Sequence, residues 1–438
     1  MNVVSRRSLA ALAFGSVLGR ESPSLALDRT PYGGRLRLRV PWAIERLDPY
    51  VSDDPLSALF SPFVTETLFA QQGATLFPVL TEALPTLEAG SARVRLRADL
   101  RTADGVPFLA GQAVRCLERA RSGRAIGLFA EWDALSVDAA DPRVFRVRCR
   151  RPNQVARILS SSACAMTGSE FSTVRQRGLG AFTAEIANGK LLLSRNASAA
   201  RGPAFLDSVV VERADSLRDG LAQFEAGESA VGWFGAGLYR PRPKALPLAG
   251  GPLGWLILRA ERGLGRWGAA GVVQSLLDAL DLSKLGHLGV NGLPARGSPE
   301  RWGGPSTPLL VDQACPHFVE AAQVLASMLS QPAHEWVVKR VPRAELARAA
   351  KAGEAVMVLD FVRRLSAAPE ATALALLAAQ DLKLAAHPPK LSLLSAQEVA
   401  RTLPFGVVGE LSVNGACDAR FINLAKFELG DVWFKEKA

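Results

Sequence analysis

The chain has 438 residues, of which 48% are hydrophobic and 21% are charged, so it is long enough for more than one globular domain. Its formal net charge is +10, but the sequence contains no run of five or more Lys/Arg residues. The positive charge is therefore spread along the chain, which argues against a nucleic-acid partner or a basic membrane-binding segment.

The first 26 residues have the pattern of an export signal. Arg6-Arg7 precede a modest apolar run from Leu9 to Leu18, and Ser24-Leu25-Ala26 supplies the small residues at which a signal peptidase cleaves. The apolar run is shorter than the about 20 residues of a membrane-spanning helix. The paired arginines favour twin-arginine export. We therefore predict a periplasmic protein that is cleaved near Ala26 and begins at Leu27, without a lipid-anchoring Cys.

Arginine alternates with apolar or small residues in three segments, at Arg35–Arg39, Arg93–Arg97 and Arg146–Arg150. Because successive side chains of a strand point to opposite faces, we place these arginines on solvated strand faces. The first strand is predicted over Arg35–Val40, and a helix is predicted over Ser61–Phe69.

The most informative segment is Leu100–Ala120, which joins a strand, a turn and a helix. Arg93–Leu100 alternates like a half-buried strand, and Asp104-Gly105 followed by Pro107 supplies the turn that ends it. Apolar residues then recur at helical spacing after Gly111. The segment therefore predicts a strand that closes onto a helix within about twenty residues.

Downstream, two short strand patterns flank Asp141-Pro142, and a further strand is predicted over Ser208–Glu212. In the second half of the chain, helices alternate with strands. The predicted elements are helix Val272–Leu282, helix Phe318–Leu329, strand Trp336–Val341, helix Ala344–Ala350 and strand Ala355–Leu359. This alternation favours a mostly parallel or mixed sheet.

The segment Leu100–Ala120 resembles the signature of the ABC-transporter substrate-binding proteins of the dipeptide, oligopeptide and nickel-binding family. That family carries a similar L-R-x-x-x-x-x-D-G-x-P-F-x-A-x-D-V run, and Gln112 stands where it usually has Asp. Other blocks resemble the family in the same order, namely Gly33-Gly34, Leu47-Asp48-Pro49, Pro78–Leu84, Gly178–Phe182 and Phe205-Leu206-Asp207. The resemblance covers nearly the whole mature chain and is stronger in its first half.

The resemblance implies an α/β, two-lobed periplasmic-binding-protein type II-like fold with mixed sheets and a hinge. Lobe I would comprise residues 27–235 and 400–438, with an inserted subdomain at about 50–170, and lobe II would comprise residues 236–399. The implied function is that of a periplasmic solute-binding protein of an ABC importer. It would bind a peptide or similar small solute between the lobes and deliver it to permease subunits in the inner membrane. We expect a monomer without enzymatic activity.

Two charged residues are predicted to contact the ligand. Asp360 follows the apolar run Val356–Leu359 and matches the Asp of the family's W-x-x-D-Y-x-x-P segment, which in peptide-binding relatives pairs with the α-ammonium of the ligand. A strand-end or helix-cap role is the alternative for Asp360. Arg363 is suited to receive a carboxylate bidentately, and a solvated helix face is its alternative.

Aromatic residues are predicted to form walls of the ligand cleft, because Trp and Phe offer large flat surfaces to a bound solute. These residues are Trp233, Phe234, Trp255 and Phe405. Packing in the core of a lobe is the alternative for each of them.

A glycine-rich segment, Gly263–Gly268, matches the GxGxxG pattern between a predicted strand and a helix. An NAD-type enzyme that uses this loop is therefore an alternative function. However, Arg259–Arg262 separate the loop from the strand end, and Arg266-Trp267 would crowd a pyrophosphate, so a connecting loop is favoured. An orphan ligand-sensing receptor is a further alternative. We expect no cofactor.

The five cysteines are far apart, and the four histidines lie in different segments. This spacing predicts neither a metal site nor a redox pair. One disulfide is compatible with export, but the spacing does not assign its partners. Cys315-Pro316-His317 brings a Cys and a His close together, and a buried thiol beside a helix start is its favoured interpretation.

Overall fold

The computed structural model of the protein describes residues 32–168, 170–234, 245–295, 303–366, 368–386 and 395–434. The predicted export signal lies outside the described residues. Within the described ranges, no helix combines the length and the apolar character that crossing a membrane requires.

Strands and helices are distributed along the whole described chain. The strands are β1 (Arg35–Val40), β2 (Phe69–Gln72), β3 (Thr75–Pro78), β4 (Thr86–Glu88), β5 (Ser91–Arg95), β6 (Trp132–Val137), β7 (Val144–Cys149), β8 (Arg175–Gln176), β9 (Phe182–Ala187), β10 (Lys190–Arg195), β11 (Ser208–Arg213), β12 (Val231–Trp233), β13 (Ala245–Ala260), β14 (Val290–Asn291), β15 (Thr307–Asp312), β16 (Trp336–Val341), β17 (Met357–Arg363), β18 (Phe405–Asp418), β19 (Phe421–Ile422) and β20 (Trp433–Phe434). The helices are α1 (Pro55–Val64), α2 (Ala110–Ser122), α3 (Val155–Leu159), α4 (Leu217–Glu225), α5 (Val272–Asp278), α6 (Pro316–Leu329), α7 (Arg343–Ala352), α8 (Pro369–Gln380), α9 (Leu382–Ala386) and α10 (Ala396–Ala400).

Three larger sheets hold most of the strands, and β2 with β3 and β19 with β20 form two further two-stranded sheets. A five-stranded sheet has the order β1-β11-β10-β9-β8, and a four-stranded sheet has the order β4-β5-β7-β6. The largest sheet has the order β12-β18-β13-β17-β15-β16, with β14 paired to β18. Strand β15 runs parallel to β16 and β17, while β13 runs antiparallel to β17 and β18. The predicted α/β fold with mixed sheets is therefore confirmed.

Strand β1 has the predicted bounds and the predicted two faces. Leu36, Leu38 and Val40 are fully or almost fully buried, whereas Arg35 and Arg37 are exposed. The apolar side chains pack into the core between the five-stranded sheet and its neighbours. The alternation of charge along the strand thus decides which face meets water.

The strand predicted over Arg93–Leu100 ends earlier, at Arg95. The antiparallel partner strand β7 begins at Val144, shortly after Asp141-Pro142. Val144 lies opposite Arg95, and this is the end pair of the two strands. Because a proline has no backbone N–H to donate, the ladder between the two strands stops there.

The turn and the helix of this segment lie where the sequence predicts them. The backbone N–H of Thr102 donates to the carbonyl of Val106 at 2.9 Å, and Gly105 adopts a left-handed φ of 81° in this turn. In helix α2 the side-chain oxygen of Gln112 accepts from the backbone N–H of Leu109. Gln112 therefore still caps the helix start, although it replaces the usual Asp of the related family.

The helix predicted over Ser61–Phe69 is wrong in its bounds, since α1 covers Pro55–Val64 and Phe69 begins a strand. Asp54 is the N-cap of α1, and its carboxylate accepts from the backbone N–H of Leu56 at 3.1 Å. Proline in the first turn fits because the donors there have no intrahelical partner. The pair Asp54-Pro55 therefore marks the start of helix α1.

The two long strands β13 and β18 pair along most of their length. The first part of β13 pairs with β18 near β12, and its second part, Gly254–Ala260, also pairs with β17. The pairing shifts its register at three places, which include the steps from Ala249 to Gly251 and from Pro252 to Gly254. Such bulges bend and twist a strand, so the direction of this pair changes near Gly251.

Two hydrophobic clusters lie on opposite faces of the large sheet. Leu256 and Leu258 of β13 point into a cluster shared with the five-stranded sheet and α6. Trp255 and Ile257 point into a second cluster shared with the four-stranded sheet, α2, α8 and α10. The period of two along β13 therefore joins both clusters through one strand.

His317 in α6 is fully buried beside residues from distant parts of the chain. Its ring stacks on Phe234 with 4.2 Å between centroids. Its Nε2–H donates to the carbonyl of Leu288 at 2.7 Å, and its Nδ1 accepts from the indole N–H of Trp42 at 3.4 Å. The bond accepted at Nδ1 requires the neutral imidazole, because both ring nitrogens of the protonated ring are donors. Burial lowers the pKa of His317 to about 4.

The cysteines form no disulfide, since all five are free and buried. Within the described ranges, no group of three or more His, Cys, Asp or Glu side chains is arranged to hold a metal ion. Burial raises the pKa of the Cys315 thiol well above its usual value, which is the behaviour of an inert core thiol.

We predict that His317 makes the stability of the protein depend on pH. Its pKa in the fold lies below the ordinary value, so its contribution is complete above about pH 6.5 and is lost as the pH falls toward 4. The free energy of unfolding should fall by about 2 kcal/mol from this group between about pH 7 and pH 5. Denaturant unfolding across this range measures the loss. The variant His317→Gln should flatten the dependence of unfolding free energy on pH. The control His287→Gln, at a half-buried histidine, should not. Equal pH dependence of wild type and His317→Gln would contradict the prediction.

We further predict that Gly254 tolerates no side chain. The β-carbon that alanine adds would overlap the carbonyl oxygen of Val362 in the neighbouring strand. Gly254→Ala should therefore cost about 2 kcal/mol or more of unfolding free energy by forcing the strands apart. Gly286→Ala, whose β-carbon meets nothing within 4 Å, is the matched control in chemical denaturation. Equal stability of the two variants would show that the pairing at Gly254 is looser than described.

Candidate ligand-binding cleft

A cavity with a volume of about 1660 Å³ lies among the described residues. It opens where the end of α1, the four-stranded subdomain and the C-terminal segment meet the end of β17. Its lining residues include Pro62, Phe63, Thr65–Thr67, Ala70-Gln71, Arg97, Asp99, Ser160, Ser162, Ala165, Ser198–Gly202, Arg363, Lys426 and Trp433. The walls therefore come from segments that are far apart in the sequence.

A second cavity of about 620 Å³ adjoins the first. The two cavities share a set of lining residues, namely Pro62, Gln71, Ser160, Ser162 and Arg363. The second cavity adds Pro252 and Leu253 of β13 and the residues that follow Arg363. We call the two adjoining cavities the cleft. The register shifts of β13 lie at its edge.

Main-chain hydrogen bonds fix the end of β17 at the cleft. The backbone N–H of Arg363 donates to the carbonyl of Ser52 at 2.6 Å, and that of Arg364 donates to Leu253 at 2.8 Å. The hydroxyl of Ser161 donates to the carbonyl of Leu365 at 2.7 Å. These bonds tie the strand end to the segment before α1, to β13 and to the subdomain.

Glu66 is a charged group in the wall of the larger cavity. Its carboxylate forms an ion pair with Arg201 at 3.1 Å, and its side chain is 13% exposed. Burial raises the pKa of Glu66 to about 7, although Arg201 acts in the opposite direction. The charge of this wall therefore changes near neutral pH.

Arg97 joins two walls of the same cavity. Its guanidinium binds Asp99 at 2.6 Å and also donates to the carbonyls of Val79 at 2.9 Å and Ala200 at 3.1 Å. A planar guanidinium can hold several acceptors in one geometry. Arg97 therefore positions the segment around Ala200 against the subdomain.

Arg363 is a charged residue that the sequence predicts to contact the ligand, and its side chain lies almost completely buried at the cleft. It is 3% exposed, and its Nη1 donates to the carbonyl of Pro49 at 2.7 Å. Burial lowers the pKa of Arg363 to about 10, against the opposing influence of Asp54 and Asp48. Its remaining nitrogen donors make no bond to the described residues.

The other charged residue predicted to contact ligand lies outside the lining of the cleft. Asp360 is half-buried in β17, and its carboxylate pairs with Arg259 at 3.3 Å. One carboxylate oxygen also accepts from the backbone N–H of Phe361 at 2.9 Å. A contact between Asp360 and a ligand stays a prediction.

The predicted aromatic residues are all buried and pack in the two clusters. The indole N–H of Trp233 donates to the carbonyl of Arg39, and Phe234 stacks on His317. Trp255 and Phe405 belong to the second cluster. Their contact with a ligand also stays a prediction, so Arg363 is the predicted site residue that lines the cleft.

Sequence reasoning did not single out Glu66, Arg97 and Arg201. Glu66 is the single charged residue between Asp54 and Glu82, and a lone charge in such a stretch is a usable signal. Arg97 looked like one of three alternating strand arginines, and its role depends on carbonyls that only the tertiary structure brings near.

The glycine-rich segment is a pair of tight turns over Arg262–Gly268. A β-carbon at Gly263 would meet the backbone at Glu354 and Ala355, so the loop packs closely on the segment before β17. Helix α5 begins only at Val272. The segment therefore does not lead directly into a helix start, and a nucleotide-binding enzyme is not favoured.

Comparison with known proteins gives structural neighbours only. No family model matches the sequence, and no curated protein matches it. The pheromone receptor PrgZ, solved for its mode of peptide binding, superposes with a TM-score of 0.71 and 13% identity, over 93% of this chain and 100% of the receptor.

Two further neighbours are peptide complexes. The oligopeptide-binding protein AppA from Bacillus subtilis, in complex with a nonapeptide, has a TM-score of 0.68 and 14% identity, over 93% of this chain and 100% of AppA. The ABC transporter-associated periplasmic binding protein DppA from Helicobacter pylori, in complex with the peptide STSA, has a TM-score of 0.69 and 13% identity, over 93% of this chain and 99% of DppA.

The alignments span almost the full length of both partners, so the likeness concerns the whole architecture rather than one subdomain. The resemblance found in the sequence is thereby confirmed at the level of the fold. This chain has the two-lobed α/β fold of the periplasmic binding proteins, in the form that ABC-transporter peptide-binding proteins share.

Proposed function

We propose that the protein is an exported solute receptor of an ABC importer. The observation that carries this proposal is the cleft, whose larger cavity of about 1660 Å³ is bounded by the end of α1, the four-stranded subdomain, the C-terminal segment and Arg363 at the end of β17. The fold neighbours PrgZ, AppA and DppA are binding proteins for peptides. Binding requires no covalent chemistry, so we propose no enzymatic activity.

The ligand we propose is a peptide or a similar small solute. Pockets for drug-sized ligands commonly have volumes of about 300–1,000 Å³, and the larger cavity exceeds this range. Its walls alternate charged groups such as Glu66 and Arg97 with serine and backbone groups. Such walls suit an extended, polar solute with several hydrogen-bonding groups.

We propose that the lobes are residues 27–235 with 400–438 and residues 236–399, and that they move about β13 and β18. With these bounds β13 belongs to the second lobe and β18 to the first, so their ladder joins the lobes, and its register shifts around Gly251 and Gly254 are the points where it bends. A ligand that contacts both halves would shift the equilibrium between open and closed states. Delivery to permease subunits, a monomeric state and a periplasmic location are parts of the same proposal.

We propose that a group of ion pairs between the two lobes stabilises a closed state. Asp53 binds Arg343 of α7 at 2.7 Å and Arg46 at 2.8 Å, and Arg343 also lies 3.7 Å from Asp312. Burial would raise the pKa of Asp53, but Arg343 and Arg46 outweigh burial and hold it below its usual value. We propose that opening separates Arg343 from Asp53.

A ligand that co-purifies with the protein tests the proposal directly. A native mass spectrum of the protein exported by its own host should show a complex whose excess mass identifies the solute. The same solute should raise the melting temperature of ligand-free protein in proportion to the logarithm of its concentration. A melting temperature that no peptide, metal chelate or other small solute changes would refute a solute receptor. An increase of the melting temperature by NAD would instead favour the alternative function, an NAD-type enzyme that uses the loop Gly263–Gly268.

We predict that Asp53→Asn shifts the ligand-free protein toward the open state. The pairs are 30–40% exposed, so their loss should weaken closure by about 1 kcal/mol, or roughly a fivefold change in the ratio of the two states. Small-angle X-ray scattering at low salt should record a larger radius of gyration for the variant. The difference from wild type should shrink at high salt, which screens such pairs.

Asp215→Asn is the matched control, because Asp215 is 88% exposed and its contact with Arg213 is 4.0 Å long. Its scattering should equal that of the wild type at every salt concentration. Identical curves for Asp53→Asn and Asp215→Asn would show that the ion pairs around Asp53 do not hold the closed arrangement.

A further inference from the structure

Arg363 carries a buried charge that the protein does not neutralise by contact. The side chain is 3% exposed, and no carboxylate of the described residues lies within ion-pair distance of it. Of the five N–H donors of a guanidinium, one bond is made, to the carbonyl of Pro49. Buried charges in proteins are normally paired, so this arrangement leaves a cation that needs an acceptor.

The two acids whose charges act on the guanidinium have hydrogen-bond partners elsewhere. Asp54 caps helix α1 through the N–H of Leu56 and accepts from the hydroxyl of Ser57. Asp48 accepts from the backbone N–H of Tyr50 at 2.9 Å. Both stabilise the charge of Arg363 over a distance, but neither occupies its free donors.

The neighbouring arginine shows the contrast. Arg364 is half-buried, binds Glu410 at 3.4 Å and also donates to the carbonyl of Ser366 at 3.1 Å. The chain therefore provides partners for the more exposed guanidinium and leaves the more buried one without a carboxylate. Burial alone does not explain this difference, because desolvation costs most where Arg363 lies.

The position of Arg363 in the cleft supplies the missing acceptor. It lines both cavities, at the place where they meet, together with Gln71, Ser160 and Ser162. A solute that spans the two cavities has to pass this guanidinium. A planar guanidinium holds two oxygens of a carboxylate or phosphate side by side, and such charge-assisted bonds are among the strongest available.

We propose that Arg363 binds an oxyanion of the solute, a carboxylate or a phosphate, at the junction of the two cavities. This inference rests on the proposed function and names the chemistry of its ligand. The anion completes the hydrogen bonding of the guanidinium, and the backbone bond from Arg363 to Ser52 fixes the strand that presents it. Solutes without an anionic group leave the cation unpaired.

Matched solutes and matched variants test this assignment by calorimetry and thermal shift. The probes are tri- to pentapeptides with a free C-terminal carboxylate, the same peptides as C-terminal amides, and sugar phosphates beside the parent sugars. The proteins are wild type, R363Q, R363K and R401Q. Arg401 pairs with Asp278 at 2.7 Å away from the cleft and is the control arginine.

We expect the anionic member of a pair to bind wild type about ten- to a hundredfold more tightly than its neutral counterpart. R401Q keeps this preference, R363Q loses it, and R363K retains part of it. A preference within the peptide pairs identifies a carboxylate as the anion, and a preference within the sugar pairs identifies a phosphate. R363Q without solute unfolds at the same or a higher denaturant concentration than wild type, because it lacks a buried unpaired charge.

Equal binding of anionic and neutral members, or an R363Q protein that keeps the preference, overturns the role of Arg363 and leaves solute binding intact. An R363Q protein that is destabilised and still prefers the anion assigns a purely structural role. Failure of every probe and of a co-purified solute to stabilise wild type refutes the proposed function, and this inference with it.

Discussion

The antiparallel pairing of β13 with β18 is the constraint on which the rest of the fold depends. One end of the pair joins β12, and the other end joins β17 and the parallel strands beyond it. Alternate side chains of β13 enter two different clusters, so the same strand supports both faces of the sheet. Any motion between the halves has to preserve this ladder, and the bulges near Gly251 are where the ladder is already irregular.

Several charged groups of this fold are removed from water, Asp53 and Arg343 partly and Arg363 almost completely. Asp53 and Arg343 recover their desolvation by pairing, and Glu66 recovers part of it from Arg201. Arg363 recovers it only from a carbonyl and from two distant acids. A chain selected for stability alone gains by replacing such a residue, so its presence argues for a task other than folding.

The sequence predicts the fold well where a pattern is local. Strand β1 follows from alternation, and α2 follows from turn chemistry together with helical spacing. Helix α1 was misplaced because the apolar period continues into β2, although the Asp54 cap marks its true start. The site is harder to predict, since burial of Arg363 depends on Pro49 and Ser52, which lie more than three hundred residues away.

The aromatic residues that the sequence places in the cleft instead pack against residues from distant parts of the chain. Phe234 stacks on His317, which in turn bonds Trp42, so a solute that entered there would break ring contacts and expose a histidine that must stay neutral. Stacking and the buried hydrogen bonds together make that region costly to open. At the junction around Arg363, the proposed solute would enter an existing cavity and add an acceptor to a guanidinium whose side chain makes one hydrogen bond, to Pro49. These contacts give the aromatic cluster a cohesive role, and under the proposed function the solute is recognised in the cleft.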